Sequence, residues 1–166
     1  MVRKLAGISV TAITVAALLL TLGSNVVLAQ RTASATGSGQ IQVSGDLRTF
    51  TFNANTDSSG VTTGQTQGKN RNAGVKWHGT LTCLNVVGNV ATMSGVVTDI
   101  TPGLGDPFLV GNFIQFQVTD MGEGEKAPPD LISLTLFFPQ GSTDPGCTVP
   151  QITATIPILH GNVQVH

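Results

Sequence analysis

The sequence predicts an all-β domain, an antiparallel barrel of about eight strands, with a β-sandwich as the alternative. Three observations carry this. Short runs of alternating apolar and polar residues recur at roughly 8–15-residue intervals. Gly, Pro, Asn and Asp clusters punctuate them, with 20 glycines in the chain. Beyond residue 29, no alanine- or leucine-rich run would propagate a helix. Closure is preferred because it removes edges that polar strands would otherwise have to protect.

The N-terminal segment stands apart from this pattern. Met1-Val2-Arg3-Lys4 is a short basic stretch, Leu5 to Leu28 carries no charge, and Val27-Leu28-Ala29 ends in small residues. That is the layout of a secretory signal peptide over residues 1–29, with a mature chain from Gln30. The rival reading, an uncleaved membrane anchor, is weakened by Thr11, Thr14, Thr21, Ser24 and Asn25. Residues 30–39, small and polar, read as a flexible leader, and 40–166 as one all-β domain.

Within that domain, Gln40–Val43 is expected as a short strand, with Gly45-Asp46 as a turn. Leu47–Ala54 follows, with Phe50, Phe52 and Ala54 on one face. Asn55–Asn70 is expected as a mobile loop. The clearest hairpin joins Thr80–Val87 to Val90–Thr101 through Gly88-Asn89, residue types that tolerate the positive φ of tight hairpin turns. Asn112–Asp120 alternates Ile114, Phe116 and Val118 against Gln115, Gln117 and Thr119. Leu131–Phe138 places Ile132, Leu134, Leu136 and Phe138 on one face. Ile152–Ile156 and Asn162–Val165 finish the domain, with Pro157 marking an edge, bulge or break. Gln40–Val43 and Asn162–Val165 are the expected closing pair.

Composition removes several classes of function. Without Arg3 and Lys4, six basic residues face nine acidic ones, and the basic ones are scattered. A nucleic-acid binder would cluster them on one face, so no nucleic acid is expected. A transmembrane barrel would want aromatic girdles, and this chain has no Tyr and one Trp; no membrane span is expected after signal cleavage. GxSxG, HExxH, zinc-ribbon and phosphate-loop patterns are all missing from the sequence.

Several residues are candidates for chemistry. Cys83 and Cys147 read as one disulfide in an exported chain, against the alternative of a nucleophilic thiol. His78, beside the lone Trp77, is the candidate acid/base or ligand-binding residue, weighed against a half-buried strand-end histidine. His160 and His166 read as surface residues. Asp120, Glu123, Glu125 and Asp130 form an acidic loop, read chiefly as solvated and alternatively as a weak calcium site. No other cofactor is expected. Asp99, Asp106 and Asp120 are the carboxylates open to glycosidase-type pairing. The seven phenylalanines read as filling the barrel rather than lining a ligand cage.

Gly39-Gln40-Ile41, Phe50-Thr51-Phe52-Asn53-Ala54 and His78 to Leu84 carry a resemblance, with Gly88 to Ala91, Gly95 and Val118 to Gly122. Together they resemble a group of small exported bacterial β-domain proteins of uncharacterised function. The resemblance implies a secreted bacterial domain and no activity. The leading expectation is a non-enzymatic extracellular or cell-surface protein that binds an unknown partner or small ligand or contributes to the envelope. The alternative is a small barrel enzyme or carrier of an apolar ligand near Trp77-His78. The first predicts a packed interior, the second a cavity with His78 or an Asp pointing into it.

Overall fold

A computed structural model of the chain describes residues 31–124, 126–151 and 154–166. The segment assigned to the signal peptide, Glu125 and the Ile152 end of the last-but-one expected strand lie outside them. The described residues form an all-β fold: β1 (Arg31–Val43), β2 (Asp46–Asp57), β3 (Thr62–Asn70), β4 (Val75–Val87), β5 (Val90–Ile100), β6 (Phe113–Thr119), β7 (Leu131–Ser133), β8 (Leu136–Phe137), β9 (Thr155–Pro157) and β10 (His160–Val165). The antiparallel sheet runs β10-β1-β2-β3-β4-β5-β6-β7-β9, with β8 paired to β6. It curls into a barrel.

Both ends of that order belong to one stretch of chain. Between β9 and β10, the Ile158 N–H donates to Asp130 O on the β7 side, and the Leu159 N–H donates to Gln40 O on the β1 side. One bent segment therefore meets both edges of the sheet. Pro157, which has no N–H to give, ends β9 at this bend. The strands that close are β1 and β10, in the register Ala35↔Val165 to Gln40↔His160, so Asn162–Val165 meets residues 35–38 and not the expected Gln40–Val43.

Two segments differ from expectation. Residues 31–39, expected as a flexible leader, are the first part of β1, and 62–70, expected as a mobile loop, are β3. Neither carries the apolar side chains that mark a strand. Several of their inward positions are glycines that receive aromatic rings from the neighbouring strands, beside the small buried Ala35 and Thr66. Gly37 pairs with Phe52 and Gly39 with Phe50, and Gly68 pairs with Phe50 on one side and Trp77 on the other. A Cβ on Gly37 would fall 2.7 Å from the Phe52 ring. The apolar payload of β1 and β3 is thus supplied across the ladder. Only Asp57 to Val61 turns between β2 and β3. There the Ser59 hydroxyl and the Val61 N–H donate to the Asp57 carboxylate and hold it below the usual aspartate range.

The interior fills from one end. Phe52, Leu81, Met93, Phe116, Val118 and Val163 form the main cluster, with Phe52 and Phe116 edge to face at 5.5 Å. Trp77, Val97 and Ile114 form a second, smaller one.

Bulges decide which face later residues take. β4 runs Trp77, Gly79 and Leu81 inward; then the ladder to β5 slips by one residue between Leu81 and Cys83. The slip turns Leu84 and Val86 inward onto the main cluster and leaves Cys83 outside. A similar shift separates β7 from β8: Val118 pairs with Ile132, but Ile114 pairs with Phe137. Ile132 therefore points in while Leu134 and Leu136 are exposed. Phe137 takes the place expected of Phe138.

On the outer surface, Cys83 pairs with Ser94 and Ser94 with Gln115. This row is covered by the segment holding Cys147, and the Cys83–Cys147 disulfide fastens it. Gln115, on the face opposite Ile114 and Phe116 as expected, is fully buried beneath it. Its amide donates to Gly146 O and Val149 O, and its carbonyl accepts from the Gln151 N–H. Gln115→Leu, similar in volume, is expected to destabilise the domain by about 1–3 kcal/mol, because it strands those backbone groups under the segment. A urea midpoint unchanged from wild type would show that the segment is held without Gln115.

Candidate functional site

The two core clusters do not meet everywhere. Between them, at the end of the barrel nearest the β1–β2 turn, lies a cleft of about 240 Å³. Ile41, Phe50 and Ile132 wall it from the main cluster, Trp77 and Phe137 from the smaller one, and Phe108 and Leu134 reach in from loops.

Each wall has a local cause. Trp77 stands at an inward position of β4, and its indole lies over Gly68 of β3, where a Cβ would collide with the ring. Phe137 reaches Trp77 edge-on at 5.4 Å, because the shift between β7 and β8 turns it inward. Phe108 stacks obliquely on Phe137 at 5.0 Å. Asp106 fixes the loop that carries Phe108: its carboxylate accepts from Asn112 Nδ2 and from the Gln140 N–H, tying the β5–β6 loop to the chain after β8.

Among the described residues, Arg48 is the one charged side chain whose strand position turns it into the cleft. It sits two residues before Phe50 on β2, so it shares the inward face with Phe50 and Phe52. Its Nε is buried and has no hydrogen-bond partner. Lys69 also borders the cleft, but it alternates with inward Gly68 and so points its side chain outward.

The strand alternation separates Trp77 from His78. Trp77 is 9% exposed and lines the cleft, whereas His78 is on the outer face. There it borders a shallow groove of about 290 Å³ with Thr51, Asn53, Gln65 and Gln67. Asp99 is its partner in the β4–β5 ladder, and no hydrogen bond joins the two among the described residues.

The acidic loop closes the barrel seam. Asp130 is 6% exposed. One of its carboxylate oxygens accepts from the Met121 N–H and the other from the Val163 N–H on β10. Asp120 accepts from the Gly122 and Val165 N–H groups. Glu123 accepts from Asn162 Nδ2. These carboxylates hold β10 against the end of β6. Glu125 lies outside the described residues, and among the rest no group of three His, Cys, Asp or Glu side chains is placed to hold a metal ion. Asp106 and Asp120 flank opposite ends of β6, a seven-residue strand about 23 Å long. That is too far apart for one glycosidic bond. His160 and His166 are exposed, and the described residues include no free cysteine.

Sequence reasoning reached Trp77 and missed Arg48, Phe108 and Phe137. The signal for Arg48 was present in the alternation itself: a residue in phase with Phe50, Phe52 and Ala54 belongs on the core face, where an arginine is out of place. Phe137 depends on a bulge and Phe108 on a loop clamp, neither of which has a local signature.

Comparison with protein-family models, curated proteins and solved structures returned no match. Fold and site together define the class: a disulfide-fastened antiparallel barrel domain, packed at one end and carrying an aromatic cleft at the other.

Proposed function

We propose that this chain is an exported, non-enzymatic binding domain that takes a small, mostly apolar molecule in the cleft beside Trp77. The cleft is the observation that carries the reading. Small-molecule sites are concave, dominated by apolar and aromatic walls, and supplied with a few polar groups that fix orientation. Here four aromatic side chains supply the walls and Arg48 the polar group. A binding role fits better than catalysis, because no His or carboxylate among the described residues borders the cleft, and His78 turns away from it. The N-terminal signal pattern and the disulfide both support an oxidising, extracytoplasmic compartment.

The chain's one tryptophan is in the cleft wall, so its fluorescence reports occupancy directly. Titration with cyclohexylmethanol, a neutral probe without near-ultraviolet absorption, is expected to shift Trp77 emission with a Kd of about 1–10 mM, as suits a ligand of this size. Gly68→Val, which pushes a side chain into the indole, is expected to abolish the response. A wild-type protein that responds neither to this alcohol nor to the carboxylate of the same ring, or a Gly68→Val variant that responds equally, would overturn the reading.

A further inference from the structure

We propose that the ligand of the Trp77 cleft is a small monocarboxylate, its acid group held by Arg48 and its apolar body lying between Trp77 and Phe137. This rests on the binding reading above and names the ligand class.

The starting point is an arginine in the wrong place for a packing residue. Position 48 is in phase with Phe50, Phe52 and Ala54, so the side chain enters the barrel mouth rather than leaving it. Arginines on core faces are almost always paired, because desolvating a guanidinium without acceptors is costly. Arg48 Nε is buried and unpartnered. It borders a cleft whose remaining inward lining is chiefly aromatic and aliphatic. An occupant with an oxyanion at that point would satisfy the orphaned donor. The planar guanidinium favours a carboxylate, which it can grip through two parallel hydrogen bonds.

Charge and size narrow the class. Lys69, the other cation at the rim, alternates outward, so among the described residues the interior offers a single positive charge. That matches a monoanion, whereas a phosphate dianion would stay half neutralised among aromatic rings. A cleft of about 240 Å³ falls below the usual range of drug-sized sites, roughly 300–1,000 Å³. It suits one ring or a short aliphatic chain. The ring would meet the faces and edges of Trp77 and Phe137, already set edge to face at 5.4 Å.

The test compares two probes with the same ring, cyclohexanecarboxylate and cyclohexylmethanol, at neutral pH, followed by Trp77 fluorescence. Wild-type protein is expected to bind the carboxylate at least about tenfold more tightly, as a charge-assisted bond in a partly desolvated site allows. In Arg48→Met, which keeps the apolar stem, the carboxylate is expected to lose that preference. In Arg48→Lys, which keeps the charge and loses the planar fork, an intermediate preference is expected. Equal affinity of wild type for both probes overturns the carboxylate assignment and leaves the binding reading standing. Failure of both probes overturns both. If Arg48→Met does not fold, the Arg48→Lys series decides: an undiminished preference there would overturn the role of the guanidinium fork.

Discussion

Asp130→Ala is expected to lower the stability of the domain by about 3–5 kcal/mol, because two backbone N–H groups lose a charged acceptor together. One belongs to Met121 and the other to Val163, at 2.8 and 2.7 Å. The Val163 bond is buried, so water cannot replace the carboxylate without opening the seam. Asp130→Asn keeps the volume but turns one acceptor into a donor, and is expected to cost about half as much. Urea unfolding measures both. Hydrogen exchange at the Val163 amide separates a local from a global effect, since seam opening should speed it in the alanine variant before the rest of the barrel responds. A loss under about 1 kcal/mol in Asp130→Ala would show that the seam holds without the carboxylate.

The second large effect is expected from the disulfide. Cys83 and Cys147 are 64 residues apart in sequence, and a loop of that size stabilises a fold by about 4 kcal/mol in the chain-entropy model. Cys83→Ser/Cys147→Ser is therefore expected to be destabilised by up to that amount, as is wild type treated with a reductant. The effect acts mainly on the unfolded chain, so the native barrel should keep its far-ultraviolet spectrum under conditions where the variant still folds. Gln115 supplies an independent hold on the same segment. If the double variant matches oxidised wild type in its urea midpoint, the crosslink contributes nothing and Gln115 carries the segment alone.

Where side chains themselves record the alternation, the fold was legible. Phe50, Phe52 and Ala54 face one way as their spacing requires, and Gly88-Asn89 joins β4 to β5 with Val87 opposite Val90. Of the expected closing pair, Asn162–Val165 does close on β1, but against residues 35–38 rather than Gln40–Val43. What escaped was structure that a residue acquires from its neighbours. β1 and β3 look like linkers because their inward glycines borrow rings from β2 and β4. The slips after Leu81 and between β7 and β8 each turn a run of residues over, and they follow from pairing with distant strands. The site was half visible for the same reason. Trp77 declares itself, and Arg48 could be found by phase, but Phe137 and Phe108 are brought in by a bulge and a clamp. Asp120 and Asp130 were noticed as charges; their role as acceptors for β10 depends on a strand 33 residues beyond Asp130.

The seam also bears on how such a chain reaches its final shape. Nine strands of the described residues precede β10, and until it arrives β1 has an unpaired edge of backbone donors and acceptors. Closure joins Ala35 to Val165 across nearly the whole domain, a contact of high sequence separation that makes for slow folding. A partly folded molecule is therefore an open template whose missing strand is carried by every other copy. Exchange of β10 between two molecules would satisfy the same ladder, so concentrated refolding should favour strand-swapped dimers. The bend at Pro157 to Leu159, which lets one segment serve both edges at home, is also where a swapped segment would swing out.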